Sequence, residues 1–141
     1  MLENLALTAA LYLTQTASDD RGLSVSRSEA TRFHDSGVQE VWRGVPARAR
    51  LVWLCIRRHE SLHSGHYRAA NPNSSASGAG QWIDSTWRGV ARWVKVDGKF
   101  VARKYSRAMH APAWVQDAAF VHVWKHDGLS MWRGTYCPGT G

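Results

Sequence analysis

Apolar and polar positions divide the chain into helical stretches separated by turn signals. Residues 2–17 have helix composition and end at the break Asp19-Asp20-Arg21-Gly22. Ser26-Arg27-Ser28-Glu29 fits a capping box, in which the Ser and Glu side chains satisfy free backbone N–H groups, and predicts a second helix to about Trp42. Gly44 and Pro46 stop that helix and start the next, with Pro46 near the first helical position, where its missing N–H costs nothing. The run Leu51-Val52-Trp53-Leu54-Cys55-Ile56 is apolar on every side, which predicts a central helix surrounded by protein. At about 100° per residue, Trp53, Ile56 and Glu60 share one stripe of that helix. A carboxylate is therefore expected on the helix's own apolar face, near a C-terminal end that Gly65 closes.

Residues 71–80 form an uncharged loop of Asn, Pro, Ser, Ala and Gly, a composition that implies close backbone approach to something. Asp84 or Ser85 then caps a further helix. Val94 to Val101, turning at Asp97-Gly98, reads as a short β-hairpin. Pro112 opens the last long helix, Gly128 closes it, and a Trp- and Gly-rich tail ends in Cys137. The pattern predicts a mainly α fold with a central buried helix and one short hairpin. It divides into an N-terminal helical extension (residues 1–45) and a domain over residues 46–141.

Composition narrows the class. A chain of 141 residues is one domain's worth. Hydrophobic residues at 44% and charged residues at 21% exclude disorder, collagen and coiled coil as descriptions of the whole. No apolar run approaches the ~20 residues of a membrane helix. The stretch Leu5 to Leu13 carries Glu3 before it and Thr8 and Tyr12 within it, so it reads as a helix rather than an export signal. The net charge of +7 draws the protein to polyanions: nucleic acid, anionic lipid or a phosphate-rich bacterial wall. The basic residues are scattered rather than striped, which disfavours nucleic acid. Eight Trp could stack on bases or sugars, but most are expected in the core. Cys55 and Cys137 form no C-x-x-C pair; they are either two buried thiols or one bridge, and the bridge is the sharper expectation. A bridge would imply an oxidising compartment.

Two chemistries compete around Glu60. His59-Glu60-Ser61-Leu62-His63 is a literal H-E-x-x-H, which on a helix places two imidazoles on one face for Zn²⁺ with the Glu as general base. A zinc site needs a third protein ligand, His66 stands where the longer zinc-peptidase pattern has Gly, and Arg57 adds positive charge one turn away. His59, His63 and His66 are therefore expected to be exposed or cleft-lining, with no metal. The other chemistry is carried by Glu60-Ser61, Ser77-Gly78-Ala79-Gly80-Gln81-Trp82, Thr86-Trp87, Asn71-Pro72, the Trp114 to Trp124 helix, and Gly128 to Trp132 before the last Cys. This set resembles the transglycosylase-like, resuscitation-promoting-factor branch of the lysozyme superfamily, and the core motif of soluble lytic transglycosylases. Two positions differ from that pattern: Cys55 precedes Glu60 by five residues rather than abutting it, and Leu62 follows Ser61.

The resemblance implies a lysozyme-like α+β domain over residues 46–141, without cofactor, that cleaves the β-1,4 MurNAc–GlcNAc backbone of peptidoglycan. Such cleavage needs a carboxylic acid still protonated near neutral pH, and burial and a helix C-terminus both raise a carboxyl's pKa. Glu60 is the expected acid. Ser61, Asn71, Gln81, Trp82 and Thr86 are carried over as substrate-contacting candidates, and Tyr105 and Trp132 as further cleft residues. Asp84 is the acidic residue inside the motif region, and its expected role is helix capping. Without a second carboxylate the lytic transglycosylase route is favoured over a hydrolytic muramidase. The implied partners are peptidoglycan strands and the anionic wall, with other virion or wall proteins as companions. The implied location is extracellular, at the cell wall or on a phage virion. The rivals are a zinc peptidase, an inactive wall-binding module and a basic nucleic-acid binder.

Overall fold

The computed structural model describes residues 40–62 and 66–141; the helices expected over 2–17 and 26–42 lie outside the described residues except for 40–42, which are helical. Gly44, at φ 68°, turns the chain out of that segment. Helix α1 spans Ala47–Glu60 directly after Pro46. Its buried residues are Ala49, Val52, Trp53 and Ile56, a single i, i+3, i+4, i+7 face. The expectation of a helix surrounded on every side is corrected here. Leu51 and Leu54 are 68% and 38% exposed, because only one stripe of the apolar run meets the described core.

Helix α1 also ends at Glu60 rather than near Gly65, which is outside the described residues. Ser61 leaves helical geometry at φ −143° while its N–H still bonds the Arg57 carbonyl. Helix α2 is Asp84–Ala91 and helix α3 is Ala113–His126. Between them lies the expected hairpin, β1 (Lys95–Val96) and β2 (Lys99–Phe100), antiparallel with Lys95 opposite Phe100. Asp97 and Gly98 both take positive φ, 49° and 71°, as a two-residue turn that follows the sheet's twist requires. Short 3₁₀ turns occupy His66–Arg68, Ala108–His110 and Ser130–Thr135. Pro112 precedes α3, and Gly128 at φ 73° closes it by donating its N–H to the Val123 carbonyl.

Aromatic rings join these elements. Trp53 of α1 stacks on Phe120 of α3 at 4.7 Å. Trp132 of the tail meets the edge of Trp82 at 4.9 Å, and Trp82 meets Trp87 of α2 at 5.7 Å. Trp42, Trp53, Trp82, Trp87 and Trp132 are all buried, so most of the eight Trp are core, as expected. Such ring pairs contribute about 0.5–1.5 kcal/mol each beyond their buried area. Cys55 and Cys137 are disulfide-bonded, with Cα atoms 5.9 Å apart, and clamp the tail onto α1. Among the described residues no helix is long and apolar enough to cross a membrane.

Candidate active site

Glu60 is the last residue of α1, one turn beyond Ile56, which is fully buried. Burial raises the Glu60 pKa above the ordinary 4.5, partly offset by the neighbouring His59. The helix terminus acts in the same direction, because unpaired carbonyls there disfavour a carboxylate. Arg57 could have opposed the shift, but its guanidinium lies over the Tyr67 ring at 4.4 Å. Position at the end of the apolar stripe, partial burial and the negative helix end all push the Glu60 pKa upward.

Ser61 explains why the helix stops there. It is 1% exposed, and its Oγ lies 2.9 Å from the Ala79 carbonyl oxygen and 3.2 Å from that of Arg57. The loop carrying Ala79 is fixed in turn by α3. The Ala79 N–H donates to Gln116 Oε1 at 2.8 Å, and Gln116 Nε2 donates to the carbonyls of Tyr67 and Ala111. Ser77 bridges on one side to Ala70 and on the other to Trp82. Gly78, at φ 75°, leaves no room: a Cβ there would sit 2.5 Å from Gln116 Oε1. Gly80 lies against Trp53, Trp82 and Trp132, and its carbonyl accepts from Trp132 Nε1. Close backbone approach was expected of this loop. What it approaches at Gly78 and Gly80 is the protein's own core.

The substrate-contacting candidates separate by burial. Gln81 is half-buried at φ 48°, and its Nε2 donates to the Gly78 carbonyl at 3.2 Å. Asn71 is half-buried, and its Oδ1 accepts the Asn73 N–H, an Asx turn that shapes the loop entrance. Thr86 and Tyr105 are half-buried, and the Tyr105 carbonyl accepts from Trp87 Nε1. Trp82 and Trp132 are 2% and 3% exposed, so their rings are taken up by the core and offer no face for a sugar to stack on. A groove of about 310 Å³ opens beside Tyr67, Arg68, Met109 and His110; Glu60 does not line it.

Asp84 is the first residue of α2, with Ile83 in the cap position, so neither Asp84 nor Ser85 caps the helix. Its carboxylate bonds Arg107 at 3.1 Å instead. Helix α1 ends at Glu60, three residues before His63, which is outside the described residues. His59 is exposed and His66 half-buried. Sequence reasoning passed over Gln116 and Asp117, adjacent buried polar residues on α3. Asp117 Oδ1 accepts from Trp53 Nε1 at 2.7 Å and from the Tyr67 hydroxyl at 2.5 Å. The signal was present: two adjacent polar residues interrupt the apolar run from Ala113 to Val121, and buried polar groups need partners.

No protein-family model, curated protein or solved structure matches this chain.

Proposed function

We propose that this protein is a lysozyme-like peptidoglycan-cleaving enzyme that acts as a lytic transglycosylase, with Glu60 as its single catalytic carboxyl. The carrying observation is Glu60 itself: a half-buried carboxyl of raised pKa at a helix end that Ser61 pins to the Ala79 loop. In this reading Glu60 enters protonated and gives its proton to the glycosidic oxygen as the bond to muramic acid C1 breaks. The resulting carboxylate then takes the proton of the same sugar's C6 hydroxyl, whose oxygen closes on C1. The tethered hydroxyl competes well with water because it is already in place. Two further acids are engaged elsewhere, Asp84 by Arg107 and Asp117 by Trp53 and Tyr67, which favours this route over a two-carboxylate muramidase. Gln81, Asn71, Thr86 and Tyr105 remain the proposed substrate contacts, whereas Ser61, buried and bonded to the Ala79 and Arg57 carbonyls, acts by positioning Glu60.

The disulfide suits an oxidising, extracellular setting such as a bacterial wall or a phage virion, and the charge of +7 suits an anionic wall. Mass spectrometry of digested, unreduced peptidoglycan tests the proposal. The expected products are 1,6-anhydromuropeptides, lighter by one water than hydrolytic products, and Glu60→Gln should yield none. Reducing-end products alone would instead identify a muramidase and make Asp84→Asn the next variant. Intact peptidoglycan after treatment with folded, oxidised wild-type protein would overturn the enzymatic reading.

A further inference from the structure

Cys55, His59 and Cys137 form a second chemical cluster near the end of α1. Their ligand atoms, two Sγ and one imidazole nitrogen, all lie within 4.8 Å of one another. Cys55 and His59 are four residues apart on α1, so they share a face. Cys137 is brought to that face by the tail, and its backbone is held independently of the sulfur bond. Its N–H donates to Thr135 Oγ1, and its carbonyl accepts from Thr140 Oγ1 at 2.7 Å and Thr140 N–H at 3.1 Å. Thr135 and Thr140 are buried, and Trp132 anchors the same tail in the core. With the tail anchored in this way, cutting the bridge is expected to keep both sulfurs beside the exposed His59 imidazole.

We propose that the reduced protein binds a soft divalent cation, Zn²⁺ by preference, through Cys55 Sγ, Cys137 Sγ and a ring nitrogen of His59. The disulfide and the metal site are alternative states of one clamp. A tetrahedral Zn²⁺ with two thiolates at about 2.3 Å and an imidazole at about 2.0 Å needs ligand atoms roughly 3.5–3.8 Å apart, so the sulfurs must part from bonding distance while the imidazole nitrogen already lies within 4.8 Å of both. Two thiolates and an imidazole select Zn²⁺ over Mg²⁺ or Ca²⁺. Cys55 is half-buried and His59 exposed, so water completes the fourth position. The chemistry balances in two steps. An external phosphine reductant takes an oxygen from water, becomes the phosphine oxide and leaves two thiols. The cation then displaces both thiol protons. Either state ties the tail to α1, through a covalent bond or through the metal. This site shares His59 with the H-E-x-x-H reading but takes its other ligands from the two cysteines rather than from His63.

Cobalt(II) is the probe. The full chain is reduced anaerobically with a phosphine, its fold is checked by circular dichroism, and Co²⁺ is titrated in. The expected result is a thiolate-to-cobalt charge-transfer band with tetrahedral ligand-field bands, saturating at a single equivalent and absent from the oxidised protein. His59→Ala, a change at an exposed position, should weaken binding by at least the roughly 10–100-fold that loss of a ligand's supporting partner alone costs. Zn²⁺ should bleach the cobalt spectrum. The proposal is overturned by a folded, reduced protein that gives no thiolate–cobalt band. It is equally overturned by a band that His59→Ala leaves unchanged, or by a reduced chain that binds cobalt only after losing its fold. None of these readouts depends on glycan cleavage.

Discussion

Gly78 and Gly98 share a positive φ and differ in what surrounds them, which makes them a matched pair. Their φ angles are 75° and 71°. An alanine pays roughly 1–2 kcal/mol to sit in the left-handed region. At Gly98, on the hairpin turn, nothing lies within 4 Å of the added methyl, so that is the whole cost. At Gly78 the methyl would meet Gln116 Oε1 at 2.5 Å and Ala108 Cβ at 2.9 Å. Both neighbours are fully buried, and Gln116 is tied through its Nε2 to Tyr67 and Ala111. If Gln116 retreats, the buried Ala79 N–H loses its acceptor, at about 1–3 kcal/mol. If it stays, the overpacking strain is of similar size. Gly78→Ala is thus expected to cost about 2–5 kcal/mol and Gly98→Ala about 1–2 kcal/mol, in urea unfolding followed by Trp fluorescence. The same change should depress glycan cleavage at Gly78 and spare it at Gly98, because Ala79 receives the Ser61 hydroxyl beside Glu60. Equal unfolding costs for the two variants would refute the packing argument for the loop.

Glu60→Gln should stabilise the protein near neutral pH while removing activity. The folded-state pKa of Glu60 is raised, so the native state holds its proton more tightly than the unfolded chain. Its contribution is fully present below the ordinary value of 4.5 and is lost as pH rises through the folded value. The stability gain of the amide over wild type should therefore grow with pH across that window in melts at stepped pH, and a flat difference would contradict the burial reading. Opening the bridge removes a constraint spanning 82 residues, worth about 4.5 kcal/mol in the chain-entropy model. Denaturation of oxidised and reduced protein, both with chelator present, should show a loss of that order; a loss under about 1 kcal/mol would contradict the chain-entropy account of this bridge. Chelation should leave cleavage by the oxidised protein unchanged, and activity that EDTA abolishes and Zn²⁺ restores would transfer Glu60 to the metallopeptidase reading.

Features written in local chemistry were legible in the sequence. The hairpin follows from Asp97-Gly98 between β-prone residues, and α3 from Pro112 before it and Gly128 after it. Glu60 on the Trp53–Ile56 stripe followed from helical periodicity alone, and the Cys55–Cys137 bridge was the sharper of two open readings. Features set by distant partners were not legible. The stop of α1 at Glu60 depends on Ser61 reaching Ala79, 18 residues on. Asp84 has the composition of an N-cap, yet Arg107, 23 residues away, takes its carboxylate. Leu51 and Leu54 match an all-round apolar helix in composition, but composition does not say how many sides the described core covers.

The buried polar pair on α3 links the core to the site. Gln116 and Asp117 cost desolvation that an apolar pair would not, so their retention needs a compensating set of bonds. Gln116 supplies three, and each fixes a different segment: the Ala79 loop, the turn at Tyr67 and the approach to α3 at Ala111. Asp117 joins the same Tyr67 turn to Trp53 on α1. Glu60 sits between these tethers, with Trp53 two turns before it and Ser61, bound to the Ala79 loop, immediately after. A carboxyl at the end of a helix would ordinarily fray into solvent and titrate normally. Here the helix end is tethered from both sides through α3, by way of the Ala79 loop at Ser61 and by way of Asp117 at Trp53, which keeps the half-buried Glu60 in place. Mutations at Gln116 or Asp117 are therefore expected to alter the pH dependence of activity through the position of the helix end that carries Glu60.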